Sequence, residues 1–495
     1  LSFLVAWVVY LAAPESTLGF IAAATWAVLP IFALPFSLQR GLLGFSHPWT
    51  IVFILFVYGW TVRATLAAFD RTQDGARDIM LHGSEPAILV RAILIGGLGM
   101  LMMGLGYLIV MARRPSEIDK SLAQPRWTRF DDETSWHRAR VEVLSIIVLA
   151  GALFGAYMLY RDGVSSGAVI GKRFNNISGG AANRAGTASY LYLRVSYFAH
   201  SLYICLLVYR LKFGRSAGPI SRLLLPVAGI GATLGPLLSD SRSGVALVLV
   251  DTIMLATILR GRVRLGRIGA VASVGLLVLA WMLSLRPGQG GSLSQALSRS
   301  VSGRDLFDIG KLAHILQLPP GELHGQTLYG WLLFPFPQDS LPFTKPMWTG
   351  LGQYVWQEAY GGVYGNGVPA GLIGELYMNL GVVGVAVGMA AFGCIVAVMY
   401  RLILPGLYRG QVLPAILFAI GIVRFTMFGL SNDFGTAVLS SLGDLLPILC
   451  LILIMAPPTA SRAFGPKSRD AAYGASEVPS RRTAYRQRQS AVAHR

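Results

Sequence analysis

The stretch "LLSDSRSGVALVLV", Leu237 to Val250, sets Asp240 and Arg242 between two runs apolar enough to lie in lipid. A charged side chain at that depth costs about 3 kcal/mol or more unless it is matched. Arg242 therefore needs either a carboxylate partner or an anion that it is there to bind. Other arginines raise the same question. Arg63 and Arg91 lie in or beside apolar runs, Arg194 shares a run with His200, Arg286 ends one, and Arg424 sits inside another. Two readings compete for them. In one, they pair with Asp70, Asp240, Asp251, Glu375, Asp433 and Asp444, or snorkel to the interface from span ends. In the other, several converge on one anion. A guanidinium stays charged and its planar fork matches phosphate oxygens, so arginines in excess of local carboxylates read as a diphosphate site. Arg242 heads that set, followed by Arg286, Arg299, Arg194 and Arg424. His314 and His324, in the longest polar connection, have the chemistry of a base, against the plainer reading that a loop histidine is simply solvated.

The elements that must carry these residues follow from composition. Apolar residues make up 54% of the 495-residue chain and charged ones only 13%, with a mean hydropathy of +0.56, which argues for a polytopic all-α membrane protein and not for a row of soluble domains. A template of about 20 apolar residues matches near 1–13, 17–39, 49–69, 87–112, 141–160, 188–211, 222–238, 245–260, 267–285, 371–400, 411–430 and 435–456, or about twelve spans. The first is short, and 222–238 with 245–260 would also suit a re-entrant pair, which lowers the number to ten. The chain opens on apolar sequence, without the charged n-region and cleavage site of a secretory signal.

The net charge of +18 raises nucleic acid as a partner, but the basic residues lie between apolar runs and in the last segment and not along one amphipathic face, so nucleic acid is excluded. Topology accounts for them. With both termini in the cytoplasm, every even-numbered connection is basic and the cytoplasmic side receives the larger share of the 42 lysines and arginines. The chain divides into spans 1 to 9 with basic cytoplasmic loops over 1–285, a large external loop over 286–370, spans 10 to 12 over 371–456, and a basic, disordered cytoplasmic tail over 457–495. The external loop is rich in aromatics, and it is expected to bear one or two interfacial helices, the clearest over Ser294 to Leu318. Cys205, Cys394 and Cys450 lie in apolar runs without paired spacing, and Walker A, HExxH and CxxC motifs are missing, so neither a metal nor a cofactor is expected. Glycine-rich spans such as "GGLGMLMMGLG" read as surfaces for close helix packing.

"LLSDSRSG" opening a span, a long aromatic loop holding "HGQTLYGWLLFPFPQDSLPF", and "GVPAGLIGELYMNLGVVGVAVGM" opening the tenth span, in that order, resemble the Wzy-type oligosaccharide repeat-unit polymerases of O-antigen and exopolysaccharide synthesis. The similarity runs from Leu237 to Tyr400. It implies a GT-C-like, metal-independent membrane glycosyltransferase of the bacterial inner membrane. Such an enzyme transfers a growing chain from undecaprenyl diphosphate to the newly flipped repeat unit on the outer face, with a flippase and a chain-length regulator as partners. Related O-antigen ligases carry a histidine-asparagine pair where this chain reads "NGVPAGLIGELYMN"; the missing histidine favours the polymerase. Arg299 to Gly310 also meets a polymerase spacing of arginine, ten residues, glycine. Within the resemblance, Arg242 stabilises the departing diphosphate, Glu375 is the preferred base with partnership to an arginine as its competing role, and His324, His314 and Asp433 stand in reserve. Trp348, Trp356 and Tyr377 are aromatics suited to sugar faces, against a belt at headgroup level. A flippase or exporter of the same lipid-linked oligosaccharide is the reading from a different class.

Overall fold

A computed structural model describes residues 2–13, 16–38, 47–69, 86–112, 130–132, 135–165, 184–214, 218–238, 242–260, 273, 309–333, 351–360 and 369–456. Every regular element among them is helical. In a hydrocarbon medium that is the economical solution, because a helix satisfies its backbone donors and acceptors internally. Helix α1 (Ser2–Ala12) is followed by α2 (Ser16–Leu38). Helix α3 (Pro48–Phe56) passes through a π-helical turn (Val57–Val62) into α4 (Arg63–Ala68). Next come α5 (Pro86–Met111), α6 (Arg138–Ser165), α7 (Arg184–Phe213), α8 (Pro219–Leu238) and α9 (Arg242–Arg260). Three short helices follow: α10 (Ile309–Ile315), α11 (Gln326–Gly330) and α12 (Leu351–Tyr360). Helix α13 (Gly371–Tyr408) precedes α14 (Val412–Ile416), which continues through a second π turn (Leu417–Ile422) into α15 (Val423–Ser431); α16 (Phe434–Met455) ends the described chain.

Five stretches among the described residues are long and apolar enough to cross a bilayer: Val90–Met111, Arg138–Arg161, Gly371–Tyr408, Val412–Ser431 and Phe434–Met455. Shorter apolar helices, Ser2–Ala12, Gly19–Ala33, Pro48–Val62 and Pro219–Leu234, fall where further spans are expected. Helices α7 and α9 are not among these five. The expected span over 267–285 lies, apart from residue 273, outside the described residues.

Contacts between neighbours define the directions of the helices. Trp49 Nε1 donates to the Phe32 carbonyl and Trp26 Nε1 to Thr65 Oγ1, so α2 and the α3–α4 pair are antiparallel. Arg91 Nη2 reaches Tyr377 Oη at one end of the bundle and Arg401 Nη1 reaches the Val110 carbonyl at the other, so α5 and α13 are parallel. At the Arg401 end, Lys212 bonds both Asp131 and the Gly410 carbonyl, while the His137 amide donates to the Met455 carbonyl. The basic residues Arg138, Lys212 and Arg401 therefore gather at the end opposite Glu375.

Helix α13 is broken at Gly381, whose φ of 66° and ψ of −159° are open almost only to glycine. The carbonyls of Tyr377 and Met378, just before the break, accept from the amides of Gly321 and Leu323. Gly371 to Asn379 are all buried, whereas from Leu380, at the break, onward the helix exposes Leu380, Val383, Val387, Ile395, Val398 and Leu402. At 1.5 Å per residue the exposed band is about 33 Å long, close to the thickness of a bilayer core. The first segment is thus enclosed by protein and the second faces lipid. The connection that encloses it departs from expectation. The described helix within Ser294 to Leu318 is only Ile309–Ile315, and all seven of its residues are buried, so it is packed inside and does not lie at an interface.

Glycines set the contact between α5 and α13. A Cβ at Gly106 would fall on the Ala390 carbonyl, and one at Gly393 on the Met103 carbonyl, in both cases backbone that cannot turn aside. Gly106→Leu and Gly393→Leu are therefore expected to lower thermal stability in detergent, by about 1–3 kcal/mol or more for overpacking, and to reduce monodisperse yield. Gly97→Ala, where nothing lies within 4 Å of the new carbon, is the control and should melt like the parent.

Candidate functional sites

Two polar constructions are embedded in this apolar scaffold. The first surrounds Glu375, which is 1% exposed. Its Oε1 accepts from Thr327 Oγ1 at 2.7 Å and its Oε2 from the Phe434 amide at 2.7 Å. Thr327 Oγ1 in turn accepts from Asn379 Nδ2 at 2.7 Å, and Asn379 Nδ2 also donates to the Glu375 carbonyl. One carboxylate thus ties three segments together: the broken half-helix of α13, the connection before it, and the turn into α16. Asp433 caps α16, accepting from the amide and hydroxyl of Thr436 at 2.7 and 2.8 Å. Burial pushes the Asp433 carboxyl above its ordinary range, while the bonds from Thr436 pull it back. Trp331 packs edge-on against Phe434, closing the same turn.

The second construction lies deeper. Arg424 on α15 is 1% exposed and donates through Nη2 to Asp251 Oδ2 on α9 at 2.5 Å and through Nη1 to Asp444 on α16. His200 Nε2 on α7 lies 3.0 Å from the same Asp251 Oδ2 and 3.3 Å from Arg424 Nη2. Asp251 is fully enclosed, but the Asp444 side chain is 37% exposed, and the opening it faces is a cavity of about 350 Å³. Tyr197, His200, Gly244, Val248, Arg424 and Asp444 are among its walls. That volume lies in the range of small-molecule sites.

No protein-family model matches this chain, nor does any curated protein or solved structure. The chemistry therefore rests on where the residues lie. Arg242 is the first residue of α9, whose Gly244, Leu247 and Val248 line the cavity. Arg194 precedes Tyr197 and His200 on α7. The side chains of Arg242, Arg194 and Trp356 lie outside the described residues, as do Arg286, Arg299 and Trp348 altogether.

Four expectations change. Arg424 is not a spare cation for an anion, because Asp251 and Asp444 already neutralise it. Glu375 has no arginine partner among the described residues, and its buried carboxylate accepts one hydrogen bond on each oxygen, from Thr327 and from the Phe434 amide. Tyr377 is 1% exposed, and its hydroxyl accepts from Arg91 at 3.0 Å, which leaves no free ring face for a sugar. His314 is buried, whereas His324 is exposed with a φ of 46° on the connection docked against α13. Sequence reasoning missed Thr327 and Asn379 because a neutral hydroxyl and amide carry no pattern. The charges of Asp251 and Asp444 were the signal that pointed to their pairing.

Thr327→Val keeps the volume but leaves Glu375 Oε1 and Asn379 Nδ2 each short of a partner in a buried place. It should cost about 1–3 kcal/mol per unsatisfied group, read as a lower melting temperature in detergent. Thr327→Ser retains the hydroxyl and should recover most of the loss; an unchanged melt in Thr327→Val would mean that the network contributes nothing.

Proposed function

We propose that this protein is a membrane glycosyltransferase that polymerises oligosaccharide repeat units carried on undecaprenyl diphosphate, working on the outer face of the bacterial cytoplasmic membrane with both termini in the cytoplasm. What carries the reading is the cavity within the bundle, two of whose walls are the helices that bear Arg194 and Arg242. The resemblance of Leu237 to Tyr400 to Wzy-type polymerases supports it. So does the gathering of Arg138, Lys212 and Arg401 at the end away from Glu375, the pattern of a cytoplasmic face. A twelve-span, GT-C-like arrangement follows, with 267–285 supplying the span that the helix order otherwise lacks.

In this reading the acceptor hydroxyl attacks the anomeric carbon of the donor sugar, the carbon–oxygen bond to the lipid diphosphate breaks, and the hydroxyl proton passes to a base. Arg424 is already paired, so the cations that meet the departing diphosphate are Arg242 and Arg194, joined by Arg286 and Arg299 from the external segment. Fixed guanidinium groups in a water-poor cavity stabilise charge as it develops. Asp444, the carboxylate on the cavity wall, takes the role of base; Glu375 keeps the outer connection docked. Neither a metal nor a nucleotide sugar is needed, since a lipid diphosphate is itself an activated leaving group.

A carrier of the same lipid is the second reading, favoured by two observations: a helix interrupted at Gly381 and a charge cluster inside the bundle, both common in transporters. The two readings separate in vitro. Purified protein supplied only with lipid-diphosphate repeat units should produce a ladder of products, and Arg242→Ala or Arg194→Ala should slow it about 10²-fold or more while the protein stays folded. Translocation of the lipid across vesicles without any ladder would replace the polymerase with the carrier.

A further inference from the structure

The cluster around Arg424 has an odd charge count. One guanidinium faces two carboxylates, Asp251 and Asp444, so among the described residues the cluster, with a neutral His200, carries one negative charge in excess, shared between the enclosed Asp251 and the cavity-facing Asp444. Two buried atoms in it have no hydrogen-bond partner, Asp251 Oδ1 and Arg424 Nε. A charge in excess beside a fully enclosed carboxylate is costly, and the usual escape is to take up a proton. His200 Nε2 meets conflicting demands as well. Toward Asp251 Oδ2, at 3.0 Å, it must donate; toward Arg424 Nη2, at 3.3 Å, it can only accept. The contacts are therefore compatible with more than one protonation state at nearly fixed atomic positions.

We propose that the His200–Asp251–Arg424–Asp444 cluster binds one exchangeable proton within the bundle, reached from the cavity at Asp444. With one proton bound the cluster is electrically neutral; without it, the net charge of its described members is −1. The proton belongs to the group and not to one residue, because the three sites are coupled through the shared guanidinium. Asp444 is the access point, since its side chain opens on the cavity while Asp251 is fully enclosed. The surroundings add no compensating charge among the described side chains. Helix α7 contributes Tyr197 on the cavity wall and Tyr203, whose hydroxyl is bonded to Thr252, and α8 contributes only Ala232 and Pro236 to the lining. If the cavity houses the transfer reaction proposed above, this cluster is where the acceptor's hydroxyl proton goes; that consequence rests on that reading, whereas the proton site stands without it.

Asp444→Asn separates a proton site from a plain ion pair. Asparagine keeps an oxygen for Arg424 Nη1 but removes one charge, so Arg424 and Asp251 balance without any proton. Full-length protein in lipid nanodiscs is titrated while infrared spectra follow the carboxylic acid band and nitrogen NMR follows labelled histidine, with His200→Gln assigning the His200 signal. As pH falls the parent should gain one proton per chain more in these signals than Asp444→Asn does. The melting temperature provides a second readout. A cluster that keeps a proton which the unfolded carboxylates have released makes the folded state lose stability as pH rises through the cluster's titration, by about tenfold in the folding constant per pH unit. That slope should flatten in Asp444→Asn. Spectra of the parent that show both carboxylates ionised and His200 neutral at every pH at which it stays folded would overturn the proposal, as would a titration in Asp444→Asn equal to that of the parent. Neither readout depends on polymerase activity, so failure here and failure of the polymerase reading are distinct results.

Discussion

A guanidinium enclosed by an apolar bundle persists only with anions against it, and the pairing of Arg424 with Asp251 and Asp444 meets that requirement. The consequence is architectural. The three residues come from α15, α9 and α16, and His200 adds α7, so one electrostatic demand joins the consecutive α15 and α16 to two helices from a distant part of the chain. Without α9 or α16 the guanidinium would lose one of its two anions. The cavity beside the cluster is lined by its polar groups together with apolar residues such as Leu247, Val248 and Phe428.

The α5–α13 contact depends on the opposite means. There the helices approach until a side chain on Gly106 or Gly393 would strike backbone carbonyls, and the arginines that join them, Arg91 and Arg401, bond only near the two ends of the contact. Lipid gives apolar surfaces little reason to separate from it, so association relies on dispersion at short range, which only small residues permit. The bundle thus combines a rigid, glycine-lined pair with a sector held by buried charge. The cavity belongs to the second sector.

Between the two lies the break at Gly381. Before it, α13 is wrapped by protein and its last carbonyls are satisfied by Gly321 and Leu323; after it, the helix faces lipid with a band of exposed valine, leucine and isoleucine. Glu375 stabilises the enclosed half by accepting from Thr327 and Phe434, which keeps the connection before α13 docked over the bundle. The carboxylate that sequence reasoning preferred for chemistry, Glu375, is buried in a bonded network, and one regarded as a structural partner, Asp444, faces the open space. Burial and bonding, not residue type, divide these roles.

How much of this was legible in the chain depends on the range of the interaction concerned. Hydropathy and the separation of basic from apolar segments are local, so the all-helical membrane class was readable directly, as was the role of glycine-rich segments in helix packing. The candidates for charge pairing, Arg424 with Asp251 and Asp444, were readable only as a set of possible partners, because a charge in lipid demands a counter-charge without saying which. Tertiary structure alone decided that Arg424 takes two of them, that Glu375 takes none of the arginines among the described residues, and that Ile309–Ile315 is buried inside the fold. Each of these depends on contacts between segments tens to hundreds of residues apart. Periodicity and composition carry no record of such distances.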